Sequence, residues 1–272
     1  MPGHEFVGTI IDGPAGLDER MYAIEPFVYC GKCLMCTSGK PQLCSDKNML
    51  GGQLRGGLSE FVDVPPVSLH PVDKDISPLV ASISEPLAVS FRAVDLSSLT
   101  KDSRVLILGG GTIGLLSGML SKEATNHVAI TVRYPHQKSV AQSIGLEPVE
   151  ETNLQDWAGD SNPDVIIETV GGAGSALTQA VRYCSPSGKI IVTGVFHETP
   201  PINATRLVTR EIEMIGSFIY GTDFGTSVAL VPKYLKEIGL IQTHQFDLQS
   251  VSEAFQCADD KSSESIKVTV LP

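Results

Sequence analysis

The chain has 272 residues, 42% of them hydrophobic and 19% charged, a composition that suits a soluble globular protein of one large domain or two ordinary ones. Lysine and arginine total 20 against 31 aspartate and glutamate; the net charge of −11 opposes a phosphate backbone, and no basic patch offsets it. No apolar run approaches a bilayer span and no basic-then-apolar leader opens the chain, so neither nucleic acid nor membrane is expected as a partner, and a cytoplasmic location is.

The first hundred residues are rich in glycine and proline, with short apolar pieces at 5–11, 21–29 and 58–64, the last running into Pro65-Pro66. They read as short strands joined by long loops. Among them Cys30, Cys33, Cys36 and Cys44 follow the spacing Cx2Cx2Cx7C. Four thiolates close a tetrahedral sphere, which suits a structural zinc that holds a loop and offers substrate no position. Disulfides would want an oxidising compartment. A ferredoxin-type cluster would want the fourth cysteine after three residues and followed by proline, whereas Ser45 follows Cys44. Cys184 and Cys257 stand alone and are most simply buried free thiols.

Around Asp102 the texture changes. Arg104 to Leu108 is a continuous apolar strand, Gly109-Gly110-Gly111-Thr112-Ile113-Gly114 follows, and Ile113, Leu116 and Leu120 recur at helical spacing. A GxGxxG placed between a buried strand and a helix is a dinucleotide fingerprint. Gly109 permits the tight turn, Gly111 lets backbone approach a pyrophosphate, and Gly114 allows close helix–strand packing, while the helix N-terminus, with Thr112 and Ile113, supplies amides for phosphate. The alternation continues through a strand at 128–132, a helix at 136–144, a strand at 164–169, a helix at 174–183 and a strand at 189–193, which implies a doubly wound parallel sheet. After the second strand an acid should accept the adenosine ribose of NAD. Arg133 stands there instead, where a guanidinium can bind a 2′-phosphate, so NADP(H) is favoured over NAD(H); a solvated strand-end charge is the competing reading. Val170, just past the strand at 164–169, is a further candidate cofactor contact, and for Glu168 a structural and a functional role both fit. The tail holds a helical piece at 250–258 and a last strand at 266–271, too short to fold alone.

Together with Gly3-His4-Glu5-Phe6-Val7-Gly8 and Glu85-Pro86-Leu87-Ala88-Val89, these features resemble the zinc-containing medium-chain dehydrogenase/reductases, the alcohol, polyol and threonine dehydrogenase group. The resemblance implies an α/β fold in which a Rossmann sheet is joined to a discontinuous, mainly β, GroES-like catalytic domain. The expected boundaries are 1–85 for that domain, with the structural-zinc lobe at 30–44, then 86–233 for the nucleotide-binding domain, and 234–272 for a segment returning to the first. It further implies that His4 ligates a catalytic zinc, with Glu5 and Glu85 as further ligands and catalytic residues. From the residues alone, His4 is an ordinary terminal histidine and Glu85 a helix-start acid.

The implied activity is hydride transfer between an alcohol or polyol, or its ketone or aldehyde, and NAD(P), in a homodimer or homotetramer. Family members carry several tens of residues before GHExxG, including a cysteine or aspartate ligand, so an N-terminally truncated member is expected. The alternative is a non-catalytic member that retains cofactor and structural-zinc binding.

Overall fold

The computed structural model describes residues 1–272 apart from the side chains of residues 160 and 161. Two compact units emerge, one from Met1–Ala88 with Tyr220–Pro272 and the other from Val89–Ile219.

In the first unit, β1 (Val7–Thr9) pairs antiparallel with β2 (Met21–Ile24). A two-residue pair, β3 (Phe27–Val28) with β4 (Asn48–Met49), closes the base of the cysteine loop, and β5 (Leu69–Pro71) completes the sheet on the other side of β2. Tyr22, Ile24 and Leu50 form its buried core, with Phe6, Ile10, Val64 and Leu69 packed around them. The strand expected at 58–64 does not form. Ser59 turns the backbone by donating to the carbonyls of Gly56 and Phe61, and Pro65-Pro66 withhold the amides a ladder would need. Phe61 is left 62% exposed.

The second unit is a six-stranded parallel sheet: β6 (Val105–Leu108), β7 (Val128–Val132), β8 (Glu147–Glu150), β9 (Val165–Glu168), β10 (Lys189–Val192) and β11 (Glu213–Gly216). Its order is β11-β10-β9-β6-β7-β8, the doubly wound arrangement. Central strands β6, β7 and β9 are buried along their whole length, which is why they read as near-continuous apolar runs, interrupted only by Thr131 in β7 and by Glu168 at the end of β9. Edge strands β8 and β11 mix glutamate, proline and glycine with apolar residues, and no periodic signal marked them. The chain starts in the middle at β6, steps outward to β8, then returns past β6 to β9. The order thus reverses between β6 and β9, and the crevice at their carboxyl ends is the ligand site of such sheets.

The first unit resumes at Tyr220, earlier than the expected 234. The reason is aromatic: Tyr220 and Phe224 are fully buried, Tyr220 meets the Phe27 ring at 6.2 Å and Phe224 at 5.1 Å, and Phe224 lies 4.9 Å from the His70 ring. Parallel strands β12 (Gln242–Asp247) and β13 (Lys267–Leu271) follow, with the helix Val251–Asp259 packed on both.

Candidate metal centres and dinucleotide crevice

The cysteine loop is built from local bonds. The short helix Leu34–Thr37 follows Cys33, and the 3-10 turn Pro41–Leu43 delivers Cys44, whose amide donates to Pro41 O at 2.8 Å. One sulfur from each of Cys30, Cys33, Cys36 and Cys44 lies within 4.8 Å of the others. The Cys33–Cys36 and Cys30–Cys36 sulfurs are 3.6 and 4.0 Å apart. Zn–S bonds of about 2.3 Å in a tetrahedron separate sulfurs by about 3.8 Å, so the donor set fits zinc without rearrangement. The Cys36 amide pulls the Cys33 thiol down to about 6, while desolvation, followed by the neighbouring thiols of Cys33 and Cys44, pushes Cys36 up to about 12. All six cysteines are unbonded to one another.

A second cluster gathers His4, Glu5 and Glu85, with one ligand atom from each lying within 4.8 Å of the others. The N-terminal residues are held in place by backbone pairing: Gly57 donates to Gly3 O at 2.8 Å and Leu58 to Pro2 O at 3.1 Å. Gly3 has φ of +96°, and a Cβ there would sit 2.9 Å from Leu58 N, so the turn that presents His4 requires glycine. Glu85 comes from the first turn of the helix Ser84–Ser97 and is only 6% exposed. Burial, reinforced by the charge of Glu5 and opposed by Lys267, pushes its carboxyl up to about 8. Lys267, on β13, forms an ion pair with Glu5 Oε2. An imidazole and two carboxylates, one buried beside a like charge, form a donor set that fits a zinc ion with a position left for substrate.

At the carboxyl end of β6, Gly109 takes φ of +111° and Gly111 sits at the N-cap of the helix Thr112–Ser121, so Thr112 and Ile113 open its first turn. A Cβ on Gly114 would lie 1.8 Å from Gly109 O, so only glycine allows this approach of helix and strand. Two threonines absent from the sequence expectation bracket the turn. Gly109 N donates to Thr131 Oγ1 on β7 at 2.8 Å, and Thr169 Oγ1, just past β9, donates to Leu108 O at 2.8 Å. Arg133 follows β7, its amide donating to Gln137 Oε1 at 3.0 Å and its guanidinium held by Glu151. Val170 is 45% exposed on the lip beyond β9, its amide bonded to Glu168 Oε1 at 2.7 Å.

The alcohol dehydrogenase GroES-like domain family matches residues 1–74, and the zinc-binding dehydrogenase family matches residues 112–233. The chain belongs to the zinc-containing medium-chain dehydrogenase/reductases. Its first unit carries the GroES-like domain and its second the Rossmann sheet of these dehydrogenases. A curated relative, the sorbitol dehydrogenase of Halalkalibacterium halodurans, is 28% identical over 99% of this chain and 82% of its own length. Among solved structures, one described as a zinc-binding dehydrogenase from Sinorhizobium meliloti 1021, bound to NADP, superposes with a TM-score of 0.92 at 26% identity, covering 100% of this chain and 83% of that one. Another, an alcohol dehydrogenase from E. coli CFT073 complexed with NADH, gives 0.91 at 25% identity over 98% of this chain and 82% of that one. As a member of this dehydrogenase family, the chain is a zinc-dependent, NAD(P)-linked oxidoreductase of alcohols or polyols. Among the described residues no helix is long and apolar enough to cross a membrane.

Proposed function

We propose that the chain interconverts a polyol and its ketone with NADP(H), with the catalytic zinc held by His4, Glu5 and Glu85 and a structural zinc by Cys30, Cys33, Cys36 and Cys44. The observation that carries this reading is the convergence of His4, Glu5 and Glu85, the last buried, on one point. Zinc bound there supplies Lewis acidity, which lowers the pKa of a hydroxyl and polarises a carbonyl. Glu85 must give up its proton to become a ligand. Lys267 fixes the direction of Glu5 through their ion pair. A polyol is the preferred substrate class because the sorbitol dehydrogenase relative extends along nearly the whole chain.

For the cofactor, the glycine turn from Gly109 to Gly114 takes the pyrophosphate, Arg133 takes the 2′-phosphate of NADP(H), and Val170 lines the opposite lip. The edge of β11, with β10 as its neighbour on one side, offers a surface for assembly into a homodimer or homotetramer, measurable by sedimentation.

The test is metal content with turnover. Two zincs per chain and polyol-dependent NADP+ reduction, both lowered in His4→Ala with NADPH binding retained, support the reading. One zinc and no turnover would leave a protein that keeps cofactor and structural zinc only.

A further inference from the structure

Glu168 ends β9 at the point where the strand order reverses, and its side chain is fully buried. Its Oε1 accepts the amides of Val170 at 2.7 Å and Gly171 at 2.9 Å. Its backbone carbonyl accepts the Thr193 amide at 2.9 Å, the Thr193 hydroxyl at 2.7 Å and the Gly194 amide at 3.3 Å. One residue therefore grips the loop after β9 with its side chain and the loop after β10 with its backbone. The two loops also lock to each other: Gly172 donates to Val195 O at 2.8 Å and His197 to Gly172 O at 3.2 Å. A Cβ on Gly194 would lie 2.4 Å from Gly171 N and 2.5 Å from Glu168 Oε2.

That Oε2 has no hydrogen-bond partner among the described residues. A buried, half-satisfied carboxylate is costly, and stability alone does not call for one. Dinucleotides lie across the crevice of a doubly wound sheet, one nucleotide to each half. The glycine turn and Arg133 belong to the β6-β7-β8 half; the loops that Glu168 ties together belong to the β9-β10-β11 half. We propose that Glu168 is a positioning residue for the nicotinamide half of the cofactor, holding Val170 and the two carboxyl-end loops as one rigid lip.

The inference rests on the dinucleotide reading of this crevice, and the experiment separates the two. Affinities are measured for NADPH against adenosine 2′,5′-bisphosphate, or NADH against AMP, in wild type, Glu168→Asp and Glu168→Gln. Glu168→Asp withdraws the carboxylate from the amides and should weaken the dinucleotide about tenfold or more, as expected for lost charge-assisted bonds, while the adenosine fragment stays within about twofold. Glu168→Gln keeps both amide bonds and should stay within about threefold of wild type. Equal affinity of Glu168→Asp and wild type, or equal loss for dinucleotide and fragment, overturns the proposal. If Glu168→Asp does not fold, hydrogen exchange on the wild-type protein decides: the dinucleotide should slow exchange at residues 168–175 and the fragment should not, and no difference between them overturns the proposal. A wild type that binds the fragment but neither dinucleotide overturns the cofactor reading itself.

Discussion

Arg133 donates to a single oxygen of Glu151, from Nε at 3.2 Å and from Nη2 at 3.0 Å. The pair is largely exposed, so it contributes less than about 1 kcal/mol, little enough that the proposed 2′-phosphate, which would accept a bidentate guanidinium, can displace it. Arg133→Ala should weaken NADPH about tenfold to a hundredfold, the range of a charge-assisted bond, and leave NADH nearly unchanged. Glu151→Gln should tighten NADPH by up to about fivefold. Fluorescence titration reads both, and equal weakening of the two cofactors by Arg133→Ala would remove the phosphate contact.

The raised carboxyl of Glu85 makes the metal-free protein pH-sensitive. Its value of about 8 lies above the ordinary 4.5, so between these the folded state holds a proton that the unfolded state has released. Stability therefore falls as pH rises through that window, by up to about 1.4 kcal/mol per pH unit for a single group. Urea denaturation with chelator present should show a lower midpoint at pH 8 than at pH 6, and Glu85→Gln should remove this group's share of the difference. An unchanged slope in the variant would place the titration elsewhere. With metal the sign reverses, since binding displaces the proton and affinity rises with pH up to about 8.

Cys33→Ser removes one of the four sulfurs proposed to hold the structural zinc. We expect one zinc per chain fewer by elemental analysis and earlier proteolysis between residues 30 and 44. NADPH affinity should be unchanged, because the loop lies in the first compact unit and the glycine turn in the second. Unchanged metal content would exclude the structural-zinc assignment.

Thr131→Val takes the acceptor from the Gly109 amide. The Gly109 amide is only half-buried, so leaving it unsatisfied costs at most the about 1–3 kcal/mol of a buried donor. Since Gly109 begins the turn proposed to hold the pyrophosphate, the loss should appear in KM for the cofactor more than in KM for the alcohol. Steady-state kinetics against each substrate separates the two, and equal changes would make Thr131 a fold residue only.

The glycine turn and the cysteine loop were legible in the sequence because each is assembled from neighbours. Gly109 and Gly111 fall between a buried strand and the helix that Gly111 caps, with Gly114 in that helix's first turn, and the four thiols converge through a single helical turn and a proline turn. The expected strand at 58–64 failed because its apolar residues carried no information about whether a partner would be beside them. His4 and Glu85 acquired meaning through the resemblance, since neither has a local signal that sets it apart from an ordinary histidine or a helix-start acid.

The sequence by itself determined the family, the doubly wound sheet, the glycine turn between strand and helix and the cysteine spacing that brings four sulfurs together, all carried by short spacings that local backbone geometry reads directly. Only the tertiary structure decided what surrounds the chemistry. It set Lys267 against Glu5 across 262 residues, buried Glu85 beside a like charge, placed Thr131 and Thr169 on either side of Gly109, and tied two loops to Glu168. Such contacts depend on strand order and on which side chains lose water together, and neither leaves a period or a motif in the chain.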